Sequence, residues 1–172
     1  MRNLSAVLLC AAAALFSGCA SSSVQSRDLT GTPPPDSKVV VGKIELAEDI
    51  AKTISAARAD KVETNSDAWL QVMRSALEGA LHEAGVSTAS GSELTIDVLI
   101  TELDPGSKAA RYWVGFGAGK GKVSAKVTVG AHGSFVVAGK LSGGWFGGEM
   151  DSVMKKLGRD AGVEIVRVVK GK

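Results

Sequence analysis

Between Arg111 and Val129 the chain reads RYWVGFGAGKGKVSAKVTV. Glycine this dense beside lysine could cradle a phosphate, so phosphate chemistry is the first possibility to test. A Walker loop needs GxxxxGK followed by Ser or Thr, running into a helix whose N-terminal amides meet the anion. Counting back from Gly119-Lys120 puts Val114 where the first glycine belongs, and counting back from Gly121-Lys122 puts Phe116 there. A GxGxxG loop opened at Gly115, Gly117 or Gly119 meets Lys120, Lys122 or Ser124 at its final position. Beyond the glycines, Val123, Ala125, Val127 and Val129 alternate with Lys122, Ser124, Lys126 and Thr128, the period of a strand. No helix N-terminus follows the loop. Of the 21 glycines, 11 fall between Gly115 and Gly148, which marks a region where backbone bends or packs closely rather than a ligand loop.

Other reactive residue types are scarce. The two histidines, His82 and His132, sit in no HExxH arrangement and give no zinc site. The GKLSGG stretch lacks the GxSxG spacing of a nucleophile elbow. Glu102 and Asp104 border a turn, where carboxylates are commonly just solvated. No catalysis, metal or cofactor is expected.

The N-terminus carries a chemistry of its own. Arg2 precedes an apolar run from Leu4 to Phe16, and small residues lead into Cys19, the layout of an export signal. Leu15-Phe16-Ser17-Gly18-Cys19 resembles the bacterial lipobox, in which the cysteine receives a diacylglycerol and the signal is cut before it. That resemblance implies a signal peptide over residues 1–18 and a membrane anchor at Cys19. One acyl chain anchors marginally, so the three of a mature lipoprotein would hold firmly. Ala20 and Ser21 follow the cysteine where an inner-membrane retention signal would place Asp, so the implied location is the outer membrane, facing the periplasm. Cys10 leaves with the signal and Cys19 is consumed by lipid, so no disulfide is expected and the fold must rest on its core.

Residues 19–37, serine-rich and carrying Pro33-Pro34-Pro35, read as a lipidated N-terminus and flexible linker. Residues 38–172 have the length of a single domain. Lysine and arginine number 20 against 18 acids, and losing Arg2 with the signal leaves near-neutrality, which argues against a nucleic-acid partner.

The domain's elements follow from periodicity. Lys38 to Leu46 is a β-branched run suited to a buried strand, and Glu48 to Asp60 suits a short helix. Asn65-Ser66-Asp67 caps an amphipathic helix whose stripe is Leu70, Met73, Leu77, Leu81 and Ala84, closed by Gly85; Gln71, Ser75, Glu78 and His82 form its wet face. Glu93 to Leu103 alternates with Leu94, Ile96, Val98 and Ile100 on one side. Gly130-Ala131-His132-Gly133 signals a hairpin into Ser134 to Leu141. Val153, Met154, Leu157, Ala161, Ile165 and Val168 recur at helical spacing behind the cap Asp151, although VEIVRVV also suits a strand. The expected fold is α+β, with helices on one face of a mostly antiparallel sheet.

That hairpin brings YWVGFGAG and GGWFGG to one end of the sheet. Tyr112, Trp113, Phe116, Trp145 and Phe146 would gather there with Arg111, Lys120 and Lys122 around them. Two roles are open to them: plugging the end of the sheet as core, or anchoring a partner protein.

The lipobox, the strand-helix-strand unit and RYWVGFGAGKGKVSAKVTV ahead of a glycine hairpin together resemble the bacterial envelope lipoproteins of the domain-of-unknown-function family DUF4410, over roughly Val39 to Val168. The resemblance implies an envelope location and no set activity. More distantly the layout is similar to small α+β domains of envelope assembly proteins such as the curli secretion lipoprotein, which work through protein contacts. Ser55-Ala56-Ala57-Arg58-Ala59-Asp60-Lys61-Val62 also resembles part of the OmpA-like peptidoglycan-binding motif, which implies an alternative in which Arg58 tethers the protein to the cell wall. The motif's companion pieces are absent, and Ala51 stands where it carries Asn. Oligomeric state is not written in the sequence.

Overall fold

The computed structural model describes residues 20–52, 66–88, 90–104, 122–141 and 150–171. Five strands and two long helices account for most of them: β1 (Ala20–Leu29), β2 (Lys38–Leu46), α1 (Ser66–Glu83), β3 (Glu93–Asp104), β4 (Lys122–Val129), β5 (Gly133–Leu141) and α2 (Met150–Val169). The strands form one sheet in the order β1-β5-β4-β3-β2. Every neighbouring pair is antiparallel except β2 with β3. The architecture is the expected α+β fold with a mostly antiparallel sheet.

Strict alternation divides the sheet into two faces. On β3, Leu94, Ile96, Val98 and Ile100 are buried while Thr95, Asp97, Leu99 and Thr101 are exposed. Val123, Ala125, Val127 and Val129 of β4, with Phe135 and Val137 of β5, continue the buried side. Against it lie Met73, Leu77 and Leu81 of α1 and Val153, Met154, Leu157, Ala161 and Ile165 of α2. Gln71, Ser75, Glu78 and His82 are exposed, as the periodicity of α1 requires. Burial of the α2 stripe overrides the strand tendency of VEIVRVV, and the helix runs unbroken to Val169. The expected helix over 48–60 is helical at 48–52, and its remainder lies outside the described residues.

Glycine closes α1 as the sequence signalled. Gly85 takes φ 74°, its N–H donates to the His82 carbonyl, and the Val86 N–H donates to that of Leu81. This is the paired bonding of a Schellman cap, with Val86 folded onto the core. Gly158 and Gly162 serve packing instead. A Cβ at Gly158 would lie 2.3 Å from the Met73 carbonyl oxygen, and one at Gly162 would lie 2.6 Å from the Ala80 Cβ. The two positions let α2 approach the backbone of α1, which offsets their low helix propensity.

The expected linker is part of the domain. Residues 20–29 are strand β1, paired along their length with β5 from Ala20–Leu141 to Leu29–Gly133, with an irregularity at Gln25. The segment escaped a reading based on apolar alternation because it buries little; Val24 and Leu29 are only partly covered. Polar contacts to α2 hold it instead. The Ser22 hydroxyl donates to Asp160, and Arg27 donates to Glu164 through Nε and through Nη2 at 3.1 Å.

The proline run also has a different use from the one expected. β1 and β2 are opposite edges of the sheet, so residues 30–37 must cross its whole width, about 19 Å over four strand spacings. Eight residues reach at most about 3.3–3.6 Å each, enough to span that width and still end in a turn. Pro33 is buried on the way, Thr30 donates its N–H to the His132 carbonyl, and Ser37 donates its N–H to that of Pro34.

Candidate functional site

The hairpin fixes which charged residues meet. Its turn sits at Gly130 to His132, where the His132 N–H donates to the Val129 carbonyl at 2.8 Å. Gly133 has φ 101° and lies so close to β1 that a Cβ would be 2.2 Å from the Asp28 carbonyl oxygen. From that turn the register runs Thr128–Ser134, Val127–Phe135 and onward to Lys122–Lys140. On the flanking strands Asp104 stands opposite Lys122, and Ser21 stands opposite Lys140. The far end of the sheet therefore carries a row across four strands: Asp104, Lys122, Lys140, Ser21. All four are exposed. Directly opposed like charges destabilise a strand pair, so an ammonium pair here favours an anion held against it. Neither lysine forms an ion pair among the described residues.

Of the residues singled out in the sequence, Lys122 is placed in this row. Arg58, Arg111, Tyr112, Trp113, Phe116, Lys120, Trp145 and Phe146, together with Cys19, lie outside the described residues. The chain enters the sheet at Lys122 and leaves it at Leu141, so the register does bring the attachment points of the two glycine-aromatic segments together. Lys140 and Ser21 escaped the sequence reading. Lys140 was within reach, since pairing residues about the Gly130–Gly133 turn sets it opposite Lys122. Ser21 is not, because its polar strand carries no apolar alternation to mark it.

The row lies at one end of the sheet face away from the helices, and that face continues along the strands. Thr95, Asp97, Leu99 and Thr101 of β3 line it, and Leu99 is 40% exposed. Lys126 of β4 stands opposite Leu99, and Ser124 donates its hydroxyl to Glu102 at 2.9 Å. An open depression between β2 and α1 is lined by Lys38, Val40, Glu78, His82 and Ser87. His132 lies in the hairpin turn, on a different element from His82. Among the described residues no three His, Cys, Asp or Glu side chains are grouped to hold a metal ion. No described helix is long and apolar enough to cross a membrane.

One ionic cluster is partly buried. The Glu164 side chain is 3% exposed and accepts from Arg27 of β1 and, at 2.8 Å, from Nη1 of Arg167 on its own helix. The Arg27 hydrogen bond holds its carboxyl below the usual carboxylate range, against the opposing effect of burial, with Arg167 adding to the lowering. The cluster ties β1 to α2 and offers no open position to a ligand, so it is a structural clasp.

The profile of the family described as a domain of unknown function, DUF4410, matches residues 24–144. The chain belongs to the DUF4410 family. The match begins inside β1 and ends just past β5, so the family's shared part is the sheet with α1, and β1 belongs to it rather than to a leader. No curated protein matches this DUF4410 chain in sequence. Among solved structures it is similar to the PelC dodecamer from Paraburkholderia phytofirmans, at 12% identity and a TM-score of 0.47, over 87% of this chain and 99% of that one. A point variant of that dodecamer gives 13% identity and a TM-score of 0.46, over 87% and 98%. Similarity at this level carries nothing about the DUF4410 chain's partners or assembly.

Proposed function

We propose that this DUF4410 protein is a non-enzymatic lipoprotein of the bacterial envelope. In this reading it is anchored through Cys19 to the periplasmic face of the outer membrane and acts as an accessory or assembly module that binds another envelope protein. The observation that carries the reading is the Leu15-to-Cys19 lipobox with Ala20-Ser21 behind it. Family membership is consistent with it. Contact rather than turnover suits the exposed groups: a sheet face carrying Thr95, Asp97, Leu99 and Lys126, and histidines set apart on a helix surface and in a turn. A partner would meet a polar, partly apolar surface, the composition of a non-obligate interface.

Photo-crosslinking in cells from a reactive residue placed at Leu99 tests the partner half of this reading. A discrete crosslinked protein band, lost when Cys19→Ala removes the anchor, is the expected result. A smear indistinguishable from a probe placed at Glu83 on the exposed end of α1 would contradict it.

A further inference from the structure

We propose that the Lys122–Lys140 end of the sheet seats directly on the anionic headgroups of the membrane, so that the domain stands on the bilayer with its β4–β5 turn pointing away. The proposal rests on the anchor at Cys19 and concerns what that anchor does to the folded domain.

The first observation is the missing spacer. Ala20, the residue bonded to Cys19, is already strand, opposite Leu141. Consecutive Cα atoms are about 3.8 Å apart. Lipid on residue 19 therefore leaves the chain within one residue of the sheet, not at the far end of a flexible tether. A strand held by a full ladder to β5 and by Ser22 and Arg27 contacts to α2 cannot pay out length as a loop would.

The second observation is what stands at that end. Lys140 is on the strand next to Ser21, and Lys122 is on the one beyond, so both lie within about 10 Å of Ser21 along the sheet. Asp104 flanks Lys122 on the β3 side, and Lys140 is bounded by Lys122 and Ser21. Two adjacent ammoniums with a membrane anchor beside them match a layer of lipid phosphates. Each lysine near an anionic leaflet favours the seated orientation by roughly fivefold. Ser21 adds a small exposed polar group beside Lys140. The opposite end carries the Gly130–Gly133 turn, and β4 with its eight residues sets it about 25 Å away.

The proposal predicts a gradient that one experiment reads. In the anchored full chain Cys10 is gone and Cys19 is acylated, so an added cysteine is the single thiol. Ser23→Cys and Ala131→Cys variants carrying a thiol-linked fluorophore are reconstituted into vesicles of phosphatidylethanolamine and phosphatidylglycerol doped with headgroup-nitroxide lipid. The Ser23 probe is expected to be quenched and the Ala131 probe spared. Lys122→Glu with Lys140→Glu is expected to lower the seated population by at least the fivefold that each lysine contributes, while Lys122→Arg with Lys140→Arg keeps it. Equal quenching of both probes, or of neither, in protein that mass spectrometry shows to be acylated overturns the seating and leaves the anchor standing. Quenching of neither in acylated protein would be the result if the lysine row met an acidic protein instead. Absence of the acyl mass overturns the anchor, and the seating with it.

Discussion

Arg27 on the edge strand β1 and Glu164 on α2 form a clasp in which the guanidinium reaches a carboxylate that is 3% exposed. The Glu164 carboxyl titrates below its ordinary value of 4.5, chiefly because of the Arg27 hydrogen bond. A folded-state value lying below the unfolded one gives stability that is fully present above about 4.5 and is lost as pH falls through the folded-state value. Acid melts are therefore expected to show a step below that point, which Glu164→Gln removes. At neutral pH the same substitution is expected to cost about 1–3 kcal/mol, the range for a charged hydrogen bond with one partner removed. Denaturant titrations at both pH values read the two effects.

The helix glycines give predictions of opposite sign. Gly158→Ala gains up to about 1 kcal/mol of helix propensity. It also forces a Cβ to 2.3 Å from the Met73 carbonyl, an overpacking that costs about 1–3 kcal/mol. Net destabilisation is expected. Gly79 is exposed in the middle of α1 with nothing within 4 Å of its added Cβ, so Gly79→Ala is expected to stabilise by about 0.5–1 kcal/mol. Thermal melts of the pair check both.

Deleting residues 20–29 separates a strand from a linker. Removing a linker leaves the melting curve of the domain unchanged. Removing β1 exposes the long edge of β5 and leaves Glu164 buried without Arg27, so loss of the cooperative transition and aggregation are expected.

What was legible in the sequence follows from where burial is dense. The three inner strands, the edge strand β2 and both long helices are readable, because Leu94 to Ile100, Val123 to Val129 and Met73 to Leu81 repeat at the period of the element that buries them. β1 was not. Ser21 to Asp28 is almost entirely polar, and its strand state is dictated by a partner strand more than a hundred residues away and by contacts to α2. The proline run reads locally as a linker, and its crossing from one edge of the sheet to the other depends on topology that local composition does not carry. Of the candidate surface, the hairpin register gave Lys122. Lys140 was recoverable from the same register, and Ser21 needed the fold.

The proposed function requires that lipid at Cys19 hold this domain to the envelope. Radiolabelled palmitate fed to cells tests it most directly. Label is expected to enter the wild-type protein, and Cys19→Ala is expected to abolish both the label and sedimentation with membranes. Wild-type protein that takes up no label, or a Cys19→Ala protein that still sediments with membranes, would contradict it.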